Sequence, residues 1–129
     1  MTLHRLPPIA LVPALLLPVL LGAASPALAA RPLSADERLG LTCASAFALV
    51  AAGQARGEPG MAAYPPLAAR GREYFVRLAA QLMDDAGLDQ AGIRAAAESE
   101  AAPLRRAGVA GVMPSCLAAL DRELPPPAR

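Results

Sequence analysis

The sequence predicts an all-α protein: a small four-helix bundle or an orthogonal helical array, tied by one disulfide between Cys43 and Cys116. Apolar residues after residue 33 recur at helical spacing, and none of these runs shows the alternation that a half-buried strand requires. Pro and Gly separate four such segments. The connections are short, which suits both architectures, and the sequence leaves the choice between them open.

Residues 1–29 have the features of a cleaved secretory signal peptide. One Arg precedes an apolar run over 9–21, and Ala27 and Ala29 are the small residues that a signal peptidase recognises. The run is shorter than the ~20 residues of a membrane span, and two prolines interrupt it. We therefore predict a mature domain over 30–124, no membrane-spanning segment after cleavage, and a periplasmic or secreted location.

The first helix is predicted over residues 34–56. Ser34 and Glu37 have the spacing of a capping box, in which each side chain satisfies a free backbone N–H group of the other residue. Gly57 ends the segment. The expected inward face, which points Cys43 toward the core, consists of Leu39, Cys43, Ala46, Phe47 and Val50.

The second helix is predicted over residues 67–86, between a Pro pair that suits a helix start and Gly87, which suits a helix end. We expect it to supply much of the bulk of the core, because three of the four aromatic residues lie in it or just before it. Only Arg72 interrupts the largely apolar flanks of its inward face. That face consists of Leu67, Gly71, Tyr74, Phe75, Leu78 and Leu82.

The last two helices are predicted over residues 90–101 and 114–124. Asp89 is placed to cap the third helix, and Pro103 is expected to end or kink it, because proline lacks the N–H group that the helix needs. Pro114 suits the first turn of the fourth helix. Residues 125–129 form a Pro-rich tail.

The two cysteines predict a disulfide, because an even number of cysteines in an exported chain usually pairs. Closing a loop of this length stabilises a fold by about 4 kcal/mol in the chain-entropy treatment. An intermolecular bridge, a free thiol or a metal ligand is the alternative, and no neighbouring motif supports the last two.

The composition excludes several classes of function. The chain has 12 basic and 11 acidic residues, and loss of Arg5 with the signal leaves a net charge near zero, which argues against nucleic-acid binding. The single His lies at position 4, and there is no Lys, so the mature chain has neither His- nor Lys-based catalysis. We expect no enzyme activity, no metal and no cofactor.

Arg70, Tyr74 and Arg77 are the candidate ligand or partner contacts. Arg binds carboxylate and phosphate groups well, and a possible anion site would consist of Arg70, Arg72, Arg77, Arg105 and Arg106. Pairing of Arg77 with Glu73 on one helix face is the purely structural alternative. A carboxylate-based enzyme is a further alternative, for which Glu73, Asp84 and Asp85 are the candidates.

The leading hypothesis is a non-enzymatic protein-interaction or envelope-associated module with an unknown protein partner; the oligomeric state is left open. A small-ligand carrier with a pocket between helices 1, 2 and 4 is one alternative. The other is a periplasmic stress chaperone: the segment LTCASAFALV and the general plan resemble the HdeA-like acid-stress proteins. That resemblance implies acid-induced exposure of apolar surface. It transfers no residue roles, because the cysteine spacing differs.

Overall fold

The computed structural model describes residues 30–126, so the predicted signal peptide and the end of the Pro-rich tail lie outside the described residues. This part of the chain contains four α-helices and no strand, which confirms the all-α prediction. The helices are α1 (Ala35–Ala55), α2 (Ala68–Ala86), α3 (Gln90–Ala107) and α4 (Met113–Glu123), with a short 3-10 turn at Met61–Ala63 between α1 and α2.

Local signals set several helix ends. The capping box at the start of α1 is present: the backbone N–H of Glu37 donates to the Ser34 hydroxyl, and that of Ser34 donates to the Glu37 carboxylate at 2.7 Å. Asp89 caps α3 by accepting from the N–H of Gly92 at 2.7 Å. Gly87 ends α2 with φ of 66°, a conformation that glycine adopts without a steric penalty.

The C-terminal end of α3 differs from the prediction made at Pro103. The helix does not end near residue 101 but continues through Pro103 to Ala107. A proline inside a helix costs about 3 kcal/mol, because it removes one hydrogen bond and its ring clashes with the preceding turn. Leu104 and Val109, which follow it, are both buried, so packing against the core offsets this local cost.

The central helix is α1, although the sequence predicted that the second helix would supply much of the bulk of the core. It packs against α2, α3 and α4, and it is buried over most of its circumference. The prediction for Leu39 is wrong, since that side chain is 51% exposed, whereas Leu41 is fully buried. The inward face predicted for α2 agrees with the structure: Leu67, Gly71, Tyr74 and Leu82 are buried, and Phe75 and Leu78 are half-buried.

The core is held across its middle by the Cys43–Cys116 disulfide, as predicted. Both cysteines are buried, and the bridge joins α1 to α4. Phe47 of α1 packs edge-on against Tyr74 of α2, with ring centroids 5.4 Å apart. A Cβ at Gly71 would lie 2.8 Å from the Cβ of Phe47, so glycine is what allows α1 and α2 to approach this closely.

Candidate functional site

An apolar groove lies between α1 and α2, with one residue of α3 in its wall. Its volume is about 400 Å³. The space exists because the residues that face it from α1 are mostly small, and because Gly71 of α2 has no side chain. Two aromatic residues, Phe47 and Phe75, contribute the bulkiest parts of the lining. The groove is lined by Ala44, Ser45, Phe47, Ala48, Ala51, Leu67, Ala68, Gly71, Arg72, Phe75 and Ala97.

Very little in this groove can form a hydrogen bond with a ligand. The hydroxyl of Ser45 already donates to the carbonyl oxygen of Ala97 at 3.1 Å. Arg72 is the only charged residue in the lining, and it is exposed. Within residues 30–126 no buried side-chain nitrogen or oxygen lacks a hydrogen-bond partner. The groove therefore suits an apolar group, with a single positive charge available at its edge.

Of the predicted contact residues, Arg70 has a structural role. Its guanidinium donates to the Asp121 carboxylate at 2.8 Å and to the carbonyl oxygen of Leu124 at 2.5 Å. Carbonyl groups at a helix C-terminus have no partner within the helix, and a cation there also interacts favourably with the helix dipole. Arg70 thus fixes the end of α4 against α2, and it does not line the apolar groove.

Tyr74 and Arg77 line a different cavity of about 250 Å³, between α1, α2 and α4. Burial raises the pKa of the Tyr74 phenol, the charge of Glu123 raises it further, and Arg122 acts in the opposite direction. Arg77 is paired with Glu73 at 2.7 Å, the arrangement given above as the structural alternative. The structure thus brings Tyr74 and Arg77 together, in a cavity whose wall includes charged residues of α1 and α4.

The carboxylates of the enzyme alternative are not brought together. Glu73 binds Arg77, whereas Asp84 and Asp85 are exposed at the other end of α2. Glu73 and Asp84 are eleven positions apart in the helix, which corresponds to about 16.5 Å along its axis. Residues 30–126 contain no group of three or more His, Cys, Asp or Glu side chains placed to hold a metal ion.

Sequence reasoning missed Gln54, which holds the connection between α1 and α2 in place. Its side-chain amide donates to the carbonyl oxygens of Met61, Tyr64 and Pro65 at 3.0–3.1 Å, and its oxygen accepts from the N–H of Leu67. Leu67 is part of the groove wall, so Gln54 positions that wall. A long-range role of this kind leaves no periodic signal in the sequence.

Arg72, the charged residue of the groove, belongs to the set of arginines predicted as a possible anion site but not to the three predicted ligand or partner contacts. The signal for it was present, because Arg72 is the residue that interrupts the otherwise apolar flanks of the inward face of α2. A charge in an apolar stripe often marks a place where the stripe meets solvent or a ligand.

Comparisons with known proteins leave the chain without an assigned class. No protein-family model, no curated protein and no solved structure matches it significantly. The similarity to the HdeA-like proteins therefore stays a hypothesis. Among the described residues, none of the helices combines the length and the apolar character needed to cross a bilayer. The functional proposal consequently rests on the geometry of the groove.

Proposed function

We propose that this chain is an exported, non-enzymatic binding protein, and that the groove between α1 and α2 holds the apolar part of a small ligand. The groove carries the proposal. Its volume of about 400 Å³ falls within the range of about 300–1,000 Å³ that is typical of small-molecule sites. The predicted signal peptide and the buried disulfide support an oxidising compartment, which is the periplasm or the exterior of the cell.

The lining favours a binding role over a catalytic one. Its residues are alanines, two phenylalanines, a leucine and a glycine, with one hydroxyl that already donates a hydrogen bond and one arginine at the edge. General acid–base catalysis needs a titratable group within hydrogen-bond reach of the reacting atoms, and this lining has no such group besides the guanidinium.

A neutral apolar fluorophore, N-phenyl-1-naphthylamine, tests the proposal on the oxidised protein from residue 30 onward. Ala48→Phe fills the groove from α1, where Ala48 is exposed enough to accept a larger side chain. Ala95→Phe is the matched control, because Ala95 is an exposed helical residue of α3 outside the groove. We expect the native protein and the control to bind the probe, and Ala48→Phe to bind it at least tenfold more weakly.

Two results would contradict the proposal. One is a native protein that leaves the fluorescence of the probe unchanged. The other is equal binding by the Ala48→Phe and Ala95→Phe variants, which would place the probe elsewhere on the surface. Circular dichroism of each variant verifies that the helices remain formed.

A protein-docking role is the second candidate, and one observation favours it. Val76 and Met83 are 59% and 45% exposed, and they lie seven residues apart, so both project from one side of α2. A photo-reactive side chain at Ala80, between them, should form one discrete crosslinked product in the native compartment, and Val76→Asp should abolish that product. A product that Val76→Asp leaves unchanged would contradict this role.

A further inference from the structure

The groove carries one positive charge that the described part of the chain does not neutralise. Arg72 forms no hydrogen bond or ion pair with any residue in 30–126, whereas several other arginines are paired with carboxylates. The nearest carboxylate in the sequence, Glu73, is bound by Arg77 at 2.7 Å. Arg72 is therefore free to bind an anion.

The neighbours of Arg72 on α2 explain why it stays unpaired. Residues three and four positions away on a helix are the ones that a side chain reaches. For Arg72 these are Ala68, Ala69, Phe75 and Val76, all of which are apolar. No carboxylate of the same helix can thus form the usual pair with Arg72.

The interior of the groove and its edge select different parts of a ligand. Because the Ser45 hydroxyl already donates its hydrogen to Ala97, a hydrogen-bond acceptor of a ligand inside the groove would lose its hydrogen bonds to water without gaining others, which is unfavourable. At the edge, a guanidinium presents parallel N–H groups that match a carboxylate. A ligand that fits both the apolar interior and the positively charged edge is an unbranched apolar chain with one anionic end.

We propose that the ligand of this groove is a free alkyl carboxylate, a fatty-acid anion, whose chain lies in the groove and whose carboxylate binds Arg72. This inference rests on the proposed function and adds the chemical class of the ligand. A volume of about 400 Å³ is at the small end of ligand sites, which favours one chain over the two chains of a phospholipid.

The test measures displacement of N-phenyl-1-naphthylamine by octanoate, decanoate and 1-decanol, each kept below its aggregation limit. Decanoate should bind more tightly than octanoate by up to about fourfold per added methylene, because each buried methylene adds a constant increment of transfer free energy. Arg72→Gln should weaken the binding of decanoate about two- to fivefold, which is the effect of losing an exposed ion pair, and it should leave the binding of decanol unchanged. Arg106→Gln, which removes an exposed charge outside the groove, should have no effect.

Three outcomes would overturn the inference. Equal affinity for decanoate and decanol, with no effect of Arg72→Gln, would show that the charge plays no part, while the proposed function would stand. Decanoate binding that Ala48→Phe leaves unchanged would place the ligand outside the groove. Binding to phosphatidylglycerol vesicles without binding of free decanoate would identify a lipid surface as the partner. If the neutral probe also fails to bind, the proposed function itself is contradicted.

Discussion

Removing the Cys43–Cys116 disulfide should destabilise the protein by about 4 kcal/mol. The bridge spans 73 residues, and the chain-entropy relation gives about 4.4 kcal/mol for a closed loop of that length at 25 °C. Small domains are stable by about 5–15 kcal/mol in total, so this is a large share. Both cysteines are buried, and a Cys43→Ala/Cys116→Ala variant would lose their packing in addition to the crosslink.

Guanidinium chloride unfolding, followed by circular dichroism, measures the effect in three forms of the protein: oxidised, reduced, and the double-alanine variant. With a slope of about 2–6 kcal/mol per M for this size, the midpoint should fall by about 1–2 M on reduction. The melting temperature should fall by roughly 15–30 °C, since 1 kcal/mol corresponds to about 4–8 °C in domains near 100 residues. The helical signal before unfolding should persist.

The reduced protein separates the crosslink from the packing, because it keeps both sulfur atoms. A loss of less than about 1 kcal/mol on reduction would refute the loop-closure reasoning for this fold. It would mean that the reduced unfolded chain stays compact, with its ends already close. A large loss in the alanine variant alone would assign the stabilisation to the buried sulfur atoms.

Four further predictions concern single residues. Gly71→Ala places a methyl group 2.8 Å from the Cβ of Phe47, so we expect a loss of about 1–3 kcal/mol in denaturant unfolding; an unchanged midpoint would contradict the close helix approach. Pro103→Ala lies on the exposed side of α3 and should raise stability by about 1–3 kcal/mol, seen as a higher melting temperature; no rise would count against the helical assignment there. Burial raises the pKa of Tyr74, so its contribution to stability is complete below its ordinary pKa of 10.0 and is lost as the pH rises through the folded value. Ultraviolet titration should show one tyrosine that ionises at a higher pH in the folded protein than in the unfolded protein. This high-pH ionisation should be absent from a Tyr74→Phe variant. Hydrogen bonds from Arg31 and from the Ser34 backbone lower the pKa of Glu37 to about 2, so its contribution is present above the ordinary value of 4.5 and is lost as the pH falls toward 2. Glu37→Gln should reduce the pH dependence of the urea unfolding midpoint across that acid range. A pH dependence equal to that of the native protein would contradict the pairing.

Features that depend on neighbouring residues in the sequence were predictable. The capping box of Ser34 and Glu37, the cap at Asp89 and the left-handed Gly87 are all set within one turn of chain. The disulfide was predictable for a different reason, because an even cysteine count in a chain with a predicted signal peptide leaves few alternatives.

Features that depend on packing between helices were not predictable from the sequence. Helix α1 is apolar around most of its surface, so its periodicity could not show that Leu41 would be buried and Leu39 exposed. At Pro103 the local preference against a helix was outweighed by the burial of Leu104 beyond it. A sequence shows local preferences but not the tertiary contacts that override them.

The candidate site was only partly visible in the sequence for the same reason. The alanines of α1 and Gly71 can be read directly, but the gap between helices that they leave depends on how α1, α2 and α3 diverge. Tyr74 and Arg77 share one helix and line one cavity, and their contact with a ligand or partner stays a prediction. Arg72 was recognised as an interruption of an apolar stripe, and its position at the groove edge required the structure.

The linkage of the first helix to the last sets an order of events during synthesis. Cys43 precedes Cys116 by 73 residues, so at about 5–20 residues per second its thiol emerges about 4–15 s before its partner. Throughout that interval the Cys43 thiolate can attack the disulfide of an oxidised oxidoreductase or small molecule, which forms a mixed disulfide and releases the other sulfur as a thiolate, since the native partner does not yet exist. The native disulfide can therefore form only after Cys116 has been synthesised, which makes it a late event in the folding of this chain.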